Sequence, residues 1–250
     1  MFRTRFKKEI LAEFLPPAAS SKQQKAIILC DGMPSIPRKQ ALVEYLSGKG
    51  YWVFYPRWRG AWESGGQFLE RSPHQDVLDI VSELPKGIQE LAFGRRFRCS
   101  PGKIFVIGGS FGGAAAILSS LDRRITKVIA NCPVVDWAIL RKEQKKETSN
   151  RSYPAYIRAA LGNGYRLSAR NWNKLHDGVF YNPQHRLDEL TPSKILIFHA
   201  KDDPYIPWKL VDSFSRRAGI KLNLLPRGGH LRTESIVRKY WRQIERFFDS

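Results

Sequence analysis

Short apolar runs alternate with helical patterns along most of this 250-residue chain, and that alternation restricts the fold more than any other feature. The runs at Ala26–Cys30, Trp52–Tyr55, Ile104–Ile107, Lys127–Asn131, Ile195–His199 and Leu222–Leu225 are short and mostly apolar. Strands covered on both faces of a parallel sheet have this composition. Helical periodicity fills intervals at Arg38–Gly48, Pro73–Leu84, Gly112–Ser120, Pro207–Arg217 and Glu234–Phe248. The last of these sets Ile236, Val237, Tyr240, Ile244 and Phe247 on one stripe, a core-packing face. A further run, Glu9–Phe14, alternates more and stops before Pro16-Pro17, so it is expected at a sheet edge. Repeated βα units predict an α/β fold with a mostly parallel central sheet and helices on both faces. One domain, 1–250, accommodates this length.

The rhythm breaks over residues 136–190. This interval holds the charged run Arg141–Lys146 and the aromatics Tyr153, Tyr156, Trp172, Phe180 and Tyr181, with no convincing strand. It reads as a mostly helical cap over the carboxyl edge of the sheet, where α/β folds bind ligands. Trp137, Tyr156 and Trp172, with Trp58 after an early strand, are candidates for lining a substrate pocket. Each aromatic taken singly suits a core anchor equally well.

The hexapeptide Gly108-Gly-Ser-Phe-Gly-Gly113 stands where the run Ile104–Ile107 gives way to a helical pattern. It meets Gly-x-Ser-x-Gly around Ser110 in the context that pattern needs: strand, sharp turn, helix. Small neighbours relieve crowding at such a turn, and the helix N-terminus offers the Phe111 N–H where an oxyanion would develop. A phosphate-binding loop would need Gly-Lys-Ser/Thr, and Ala114-Ala115 follow instead. Ser110 is the candidate nucleophile.

A neutral serine needs a base, and the base needs an orienting acid. For an elbow serine the chain order is Ser, then Asp or Glu after a later strand, then His before the last helix. The run Ile195–His199 leads into Ala200-Lys-Asp-Asp-Pro-Tyr-Ile-Pro207, and Leu222–Leu225 leads into Pro226-Arg-Gly-Gly-His230. His230 is the candidate base. Spacing alone leaves Asp202 and Asp203 both open as the acid.

The segments GGSFGG, HAKDDPYIP and GGH resemble the catalytic domain of the prolyl oligopeptidase family within the α/β-hydrolases. Arg57-Trp-Arg-Gly60 with Gly65-Gly66 is similar to that family's Tyr-Arg-Gly segment, and the likeness runs from about residue 25 to the C-terminus. The resemblance implies the α/β-hydrolase fold with a helical cap insertion. The family's acid motif, His-Gly-x-x-Asp-x-x-Val-Pro, laid on His199, Ile206 and Pro207, puts the aspartate at Asp203. Family members often carry His-Gly-Gly-Pro after the first core strand. Here it is Asp31-Gly-Met-Pro34, and by position the Met33 N–H is the second oxyanion donor beside Phe111. The activity implied is a serine hydrolase of carboxylester or related acyl bonds on a small-molecule substrate. A small peptidase stands behind it, because 250 residues leave no room for the propeller of full-length family peptidases. A thioesterase or acyltransferase acting on an anionic carrier, and a non-catalytic basic binding protein on a hydrolase scaffold, are the further alternatives.

Forty-two Lys and Arg against 23 Asp and Glu give a net charge of +19. A field of that size attracts anionic surfaces without specificity. The basic residues are spread along the chain with no RNP-like or zinc-finger spacing, so specific nucleic-acid binding is not expected. No apolar run approaches the roughly 20 residues of a membrane span. The N-terminal MFRTRFKKEILAEFLPP lacks the apolar core and cleavage site of a signal peptide. Cys30, Cys99 and Cys132 have no CxxC spacing and suit reduced thiols, so a cytoplasmic location is expected. Neither metal nor cofactor is expected, since no HExxH or His/Asp cluster has ligand spacing.

Overall fold

The computed structural model describes residues 1–19, 23–140 and 153–250. The strands are β1 (Phe2–Phe6), β2 (Ile10–Leu15), β3 (Lys25–Cys30), β4 (Trp52–Pro56), β5 (Ile88–Gln89), β6 (Arg96–Phe97), β7 (Lys103–Gly109), β8 (Lys127–Asn131), β9 (Ile195–Ala200) and β10 (Lys221–Leu225). β5 and β6 form a separate small hairpin, and the others make one sheet in the order β1-β2-β4-β3-β7-β8-β9-β10. β2 runs antiparallel to β1 and β4, and all later pairs are parallel.

Alternation along each strand sorts the core onto two faces. Ala26, Ile28 and Cys30 of β3 join one apolar cluster, and Ile27 and Leu29 join the other. The second cluster is covered by Leu42, Val43 and Leu46 of helix α1 (Gln40–Gly48) and by the C-terminal helices. The first is covered by α2 (His74–Glu83) and by α3 (Phe111–Ser119), every residue of which is buried. Both faces of the parallel sheet are therefore dry, and this explains why the strands read as near-continuous apolar runs.

Two expectations need correction. β2 is not an edge strand, because β1 lies outside it, with Phe2 opposite Phe14 and Phe6 opposite Ile10. β1 alternates strictly, burying Thr4 and Phe6 and exposing Arg3 and Arg5, and its exposed arginines suit an edge. The turn between them is made by Lys7 and Lys8 at φ 48° and 60°, residues that carry no hairpin signal. The expected helix Glu234–Phe248 is two helices, Thr233–Lys239 and Trp241–Asp249, separated at Tyr240 (φ −107°, ψ 20°). A continuous helix would point adjacent residues about 100° apart. The break lets Tyr240 pack on Phe198 while Trp241 meets Tyr45 and Tyr51 in the same cluster.

The register brings strand ends level: Cys30 opposite Gly108, Gly109 opposite Asn131, Asn131 opposite Phe198, and Ala200 opposite Leu225. Whatever follows β3, β7, β8, β9 and β10 thus emerges at one sheet edge. Residues 141–152, including the charged run 141–146, lie outside the described residues. From 153 to 190 the chain forms helices Tyr153–Leu161 and Ala169–Asn173 with several single 3-10 turns. It is tied to the loop after β4 by an isolated bridge between Ala61 and Tyr165 and by the Arg166 guanidinium, which donates to the carbonyls of Trp62, Ser64 and Gly66.

Candidate active site

Ser110 occupies the turn between β7 and α3 at φ 54°, ψ −118°, a region that side-chain-bearing residues rarely adopt. Backbone bonds hold it there: its N–H donates to Asn131 O (2.8 Å), and its carbonyl accepts from Gly113 N–H (2.9 Å). The flanking glycines are set by close approach of backbone to backbone. A Cβ on Gly108 would sit 2.0 Å from Gly112 O, and one on Gly112 would sit 2.4 Å from Cys30 O. Without them α3 could not start so near the ends of β3 and β7.

Asp203 follows β9, and its side chain is fully buried. One carboxylate oxygen accepts from the N–H groups of Tyr205 (2.9 Å) and Ile206 (3.1 Å); the other lies 2.8 Å from His230 Nδ1. Burial raises the Asp203 pKa, but the bonds from His230 and the two N–H groups outweigh it and hold the carboxyl below the usual range. A carboxylate only accepts, so the His230 nitrogen facing it carries the proton, and Nε2 is left as the acceptor. Asp202 instead accepts from Gly229 N–H (2.8 Å) at the surface. The geometry thus separates two aspartates that spacing could not. His199, wholly buried, lies 3.0 Å through Nε2 from Ile206 O and supports the acid loop from beneath. Burial lowers its pKa and keeps it neutral.

Asn131, which ends β8, and Cys132, read from the sequence only as a reduced thiol, carried no signal of a place in this site, yet they touch every part of the arrangement. Asn131 O receives the Ser110 N–H, and Asn131 Nδ2 donates to Leu231 O (2.6 Å), next to His230. Cys132, at φ 44°, places its sulfur within 4.8 Å of ligand atoms of Asp203 and His230. Such a trio has the composition of a metal site. Here the Asp203 oxygens are already engaged by His230, Tyr205 and Ile206, and burial, followed by the Asp203 charge, pushes the Cys132 thiol far up.

Ser110, Phe111, Met33 and His230 line a common cavity of about 600 Å³. Gly32 runs against the serine: a Cβ there would lie 3.5 Å from Ser110 Cβ, which sets the Asp31–Pro34 loop beside the hydroxyl. Asp31, buried, accepts from Tyr55 Oη and Gly32 N–H and pairs with Lys39 Nζ at 2.8 Å. Trp137, Tyr156 and Trp172 line the same cavity, joined by Tyr153, whose ring stacks on Trp172 at 4.5 Å, and by Tyr205, edge-on to His230 at 5.3 Å. Trp58 does not. It is buried beneath the loop, with Nε1 donating to Asp31 O (3.2 Å) and its ring edge-on to Phe111 at 5.9 Å. A buried indole N–H needs an acceptor, and the turning carbonyl of Asp31 supplies one.

Among solved structures, the esterase Pf2001 of Pyrococcus furiosus is similar to this chain at 15% identity and a TM-score of 0.67, covering 99% of this chain and 88% of that one. Est1E from Butyrivibrio proteoclasticus, solved with ferulic acid bound, is 18% identical at a TM-score of 0.66, covering 98% and 100%. The acylaminoacyl peptidase of Pyrococcus horikoshii is 15% identical at 0.68, covering 98% of this chain but only 40% of the peptidase. No curated protein matches the chain by sequence. The model of the alpha/beta hydrolase family matches residues 38–235, from the start of α1 through the elbow and past His230, and the chain belongs to that family.

Proposed function

We propose that this protein is a serine hydrolase that cleaves carboxylester or related acyl bonds through an acyl-enzyme on Ser110. The observation that carries the reading is the 2.8 Å contact between buried Asp203 and His230, opening onto the cavity that Ser110 lines. His230 Nε2 takes the hydroxyl proton as Ser110 Oγ attacks the carbonyl carbon. Asp203 fixes the ring's tautomer and stabilises the imidazolium. The oxyanion is met by the N–H groups of Phe111, at the start of α3, and of Met33, each such donor being worth roughly 3 kcal/mol in comparable sites. The alcohol departs with the His230 proton, and water, deprotonated by the same nitrogen, releases the acid.

In this reading residues 136–190 are the cap, with Trp137, Tyr156 and Trp172 presenting its aromatic surface to the acyl or leaving group. The free, buried thiols of Cys30, Cys99 and Cys132 support a reducing, cytoplasmic setting. Among the described residues no helix is long and apolar enough to cross a membrane. The fold shared with acylaminoacyl peptidase keeps amide substrates in the test. A fluorophosphonate probe should label the wild type on Ser110 and leave Ser110→Ala unlabelled. p-Nitrophenyl esters should be hydrolysed faster than aminoacyl-naphthylamides. A Ser110→Ala protein that kept full esterase activity would refute the scheme.

A further inference from the structure

We propose that the cavity above Ser110 selects substrates carrying an anionic oxygen group, carboxylate or phosphate, and that Arg38 and Arg232 receive it. The identity of the cleaved bond rests on the hydrolase reading; the preference for charge rests on the arrangement of the cavity's own ions.

The charged side chains lining the cavity outside the Asp203–His230 pair are Arg38, Lys39, Arg232, Asp31 and Glu234. Both carboxylates are engaged, Asp31 with Lys39 at 2.8 Å and Glu234 with Arg238 at 3.0 Å. Arg38 and Arg232 are exposed, and neither has a carboxylate partner among the described residues. Two positive charges at the mouth are left unmatched.

Their positions are fixed by the fold. Arg38 closes the loop between β3 and α1, five residues after Met33. Arg232 precedes the helix Thr233–Lys239, two residues after His230. Arg238, in the last turn of that helix, donates to Ala41 O at 2.9 Å and lies over the Tyr45 ring, which ties the helix to α1, and Arg38 and Arg232 both line the one cavity. Trp137, Tyr153 and Trp172 line the cavity from elsewhere, so it offers cationic and aromatic surfaces together. Guanidinium groups bind carboxylate and phosphate oxygens in a two-pronged fashion, and the chain's +19 charge draws such substrates toward it.

The test compares phenyl butanoate with 4-carboxyphenyl butanoate and 4-phosphonooxyphenyl butanoate, and 4-nitrophenyl butanoate with the mono-4-nitrophenyl ester of succinic acid. These pairs put the charge on the leaving group or on the acyl group. In the wild type at least one charged ester should exceed its neutral partner in kcat/KM by roughly tenfold, the size of one charge-assisted hydrogen bond. The ratio should fall toward one in Arg38→Gln/Arg232→Gln and on raising salt. Reading a ratio cancels any general loss of activity, and the carboxylate and phosphate arms separate the two sources of charge. A ratio of one or below for every pair in the wild type overturns the proposal, as does a preference untouched by the double substitution. Failure of the hydrolase reading looks different: no ester turns over, and the fluorophosphonate does not label Ser110. The charge preference is then judged by calorimetry, in which 4-butanamidobenzoate should bind more tightly than butananilide, and equal binding overturns it.

Discussion

Gly112 and Gly48 are both helical glycines, and replacing each with alanine should move stability in opposite directions. Helix propensity alone favours alanine by up to about 1 kcal/mol at either position. At Gly48, in the last turn of α1, a Cβ would have nothing within 4 Å, so Gly48→Ala should realise part of that gain. At Gly112 the Cβ would stand 2.4 Å from Cys30 O and 2.6 Å from Asp31 O, backbone atoms that cannot rotate away. Reaching ordinary contact requires α3 and the end of β3 to separate by about 1 Å, an overpacking that costs about 1–3 kcal/mol in tight cores. With the full propensity gain subtracted the net loss is up to about 2 kcal/mol, or up to roughly 8 °C in Tm for a chain of this size, against a rise of up to about 4 °C for Gly48→Ala. The displaced backbone leads directly into Gly32 and Met33 beside Ser110. Since a 1 Å misplacement in an active site costs on the order of 100-fold, Gly112→Ala should also lose about that much in kcat/KM. Thermal unfolding and ester hydrolysis of both variants provide the assay. A Gly112→Ala protein as stable as Gly48→Ala and fully active would refute the argument that backbone contact dictates the second half of GGSFGG.

Three other outcomes are expected. Asp203→Asn should lower kcat by about 10⁴-fold by presenting the wrong His230 tautomer, whereas Asp202→Asn, whose amide oxygen can still accept from Gly229, should stay near wild type. Burial, then Arg186 and Arg71, depress the His74 pKa from 6.5 to about 4, so the folded ring stays neutral while the unfolded one charges. Stability should therefore fall by up to about 3 kcal/mol as pH drops from 6.5 toward 4, and urea titrations of His74→Gln should show a shallower decline. Asn131→Leu removes the bond to Leu231 O beside His230; it should lower kcat more than it raises KM, and equal hydrolysis by both proteins would show that the bond does not position the base.

The chemistry in this chain is local, and its sequence therefore carries it openly. GGSFGG reports a turn with no room for side chains, and the Gly112–Cys30 approach is the cause. Ser110, the Asp202-Asp203 pair and His230 each follow a strand of one parallel sheet, and the level ends of those strands bring all three to one edge. Alternation and apolar runs likewise marked most strands, because both faces of the sheet are dry. The edge hairpin escaped because its turn is Lys7-Lys8, and the break at Tyr240 because two neighbouring aromatics needed the same core.

Choices between neighbours belonged to the tertiary structure. Asp202 and Asp203 are adjacent and chemically identical, so spacing leaves them equivalent and the family motif points to Asp203; the fold supplies the physical reason by turning one toward Gly229 at the surface and the other toward His230 in the interior. Trp58 and Trp172 have the same side chain, yet one supports the Asp31 carbonyl from below and the other faces the cavity. Asn131 and Cys132 gained their place because β8 lies between β7 and β9, the strands that lead into Ser110 and Asp203. Residue type and spacing determine what a group can do, and three-dimensional packing decides which of several equivalent groups is given the partners to do it.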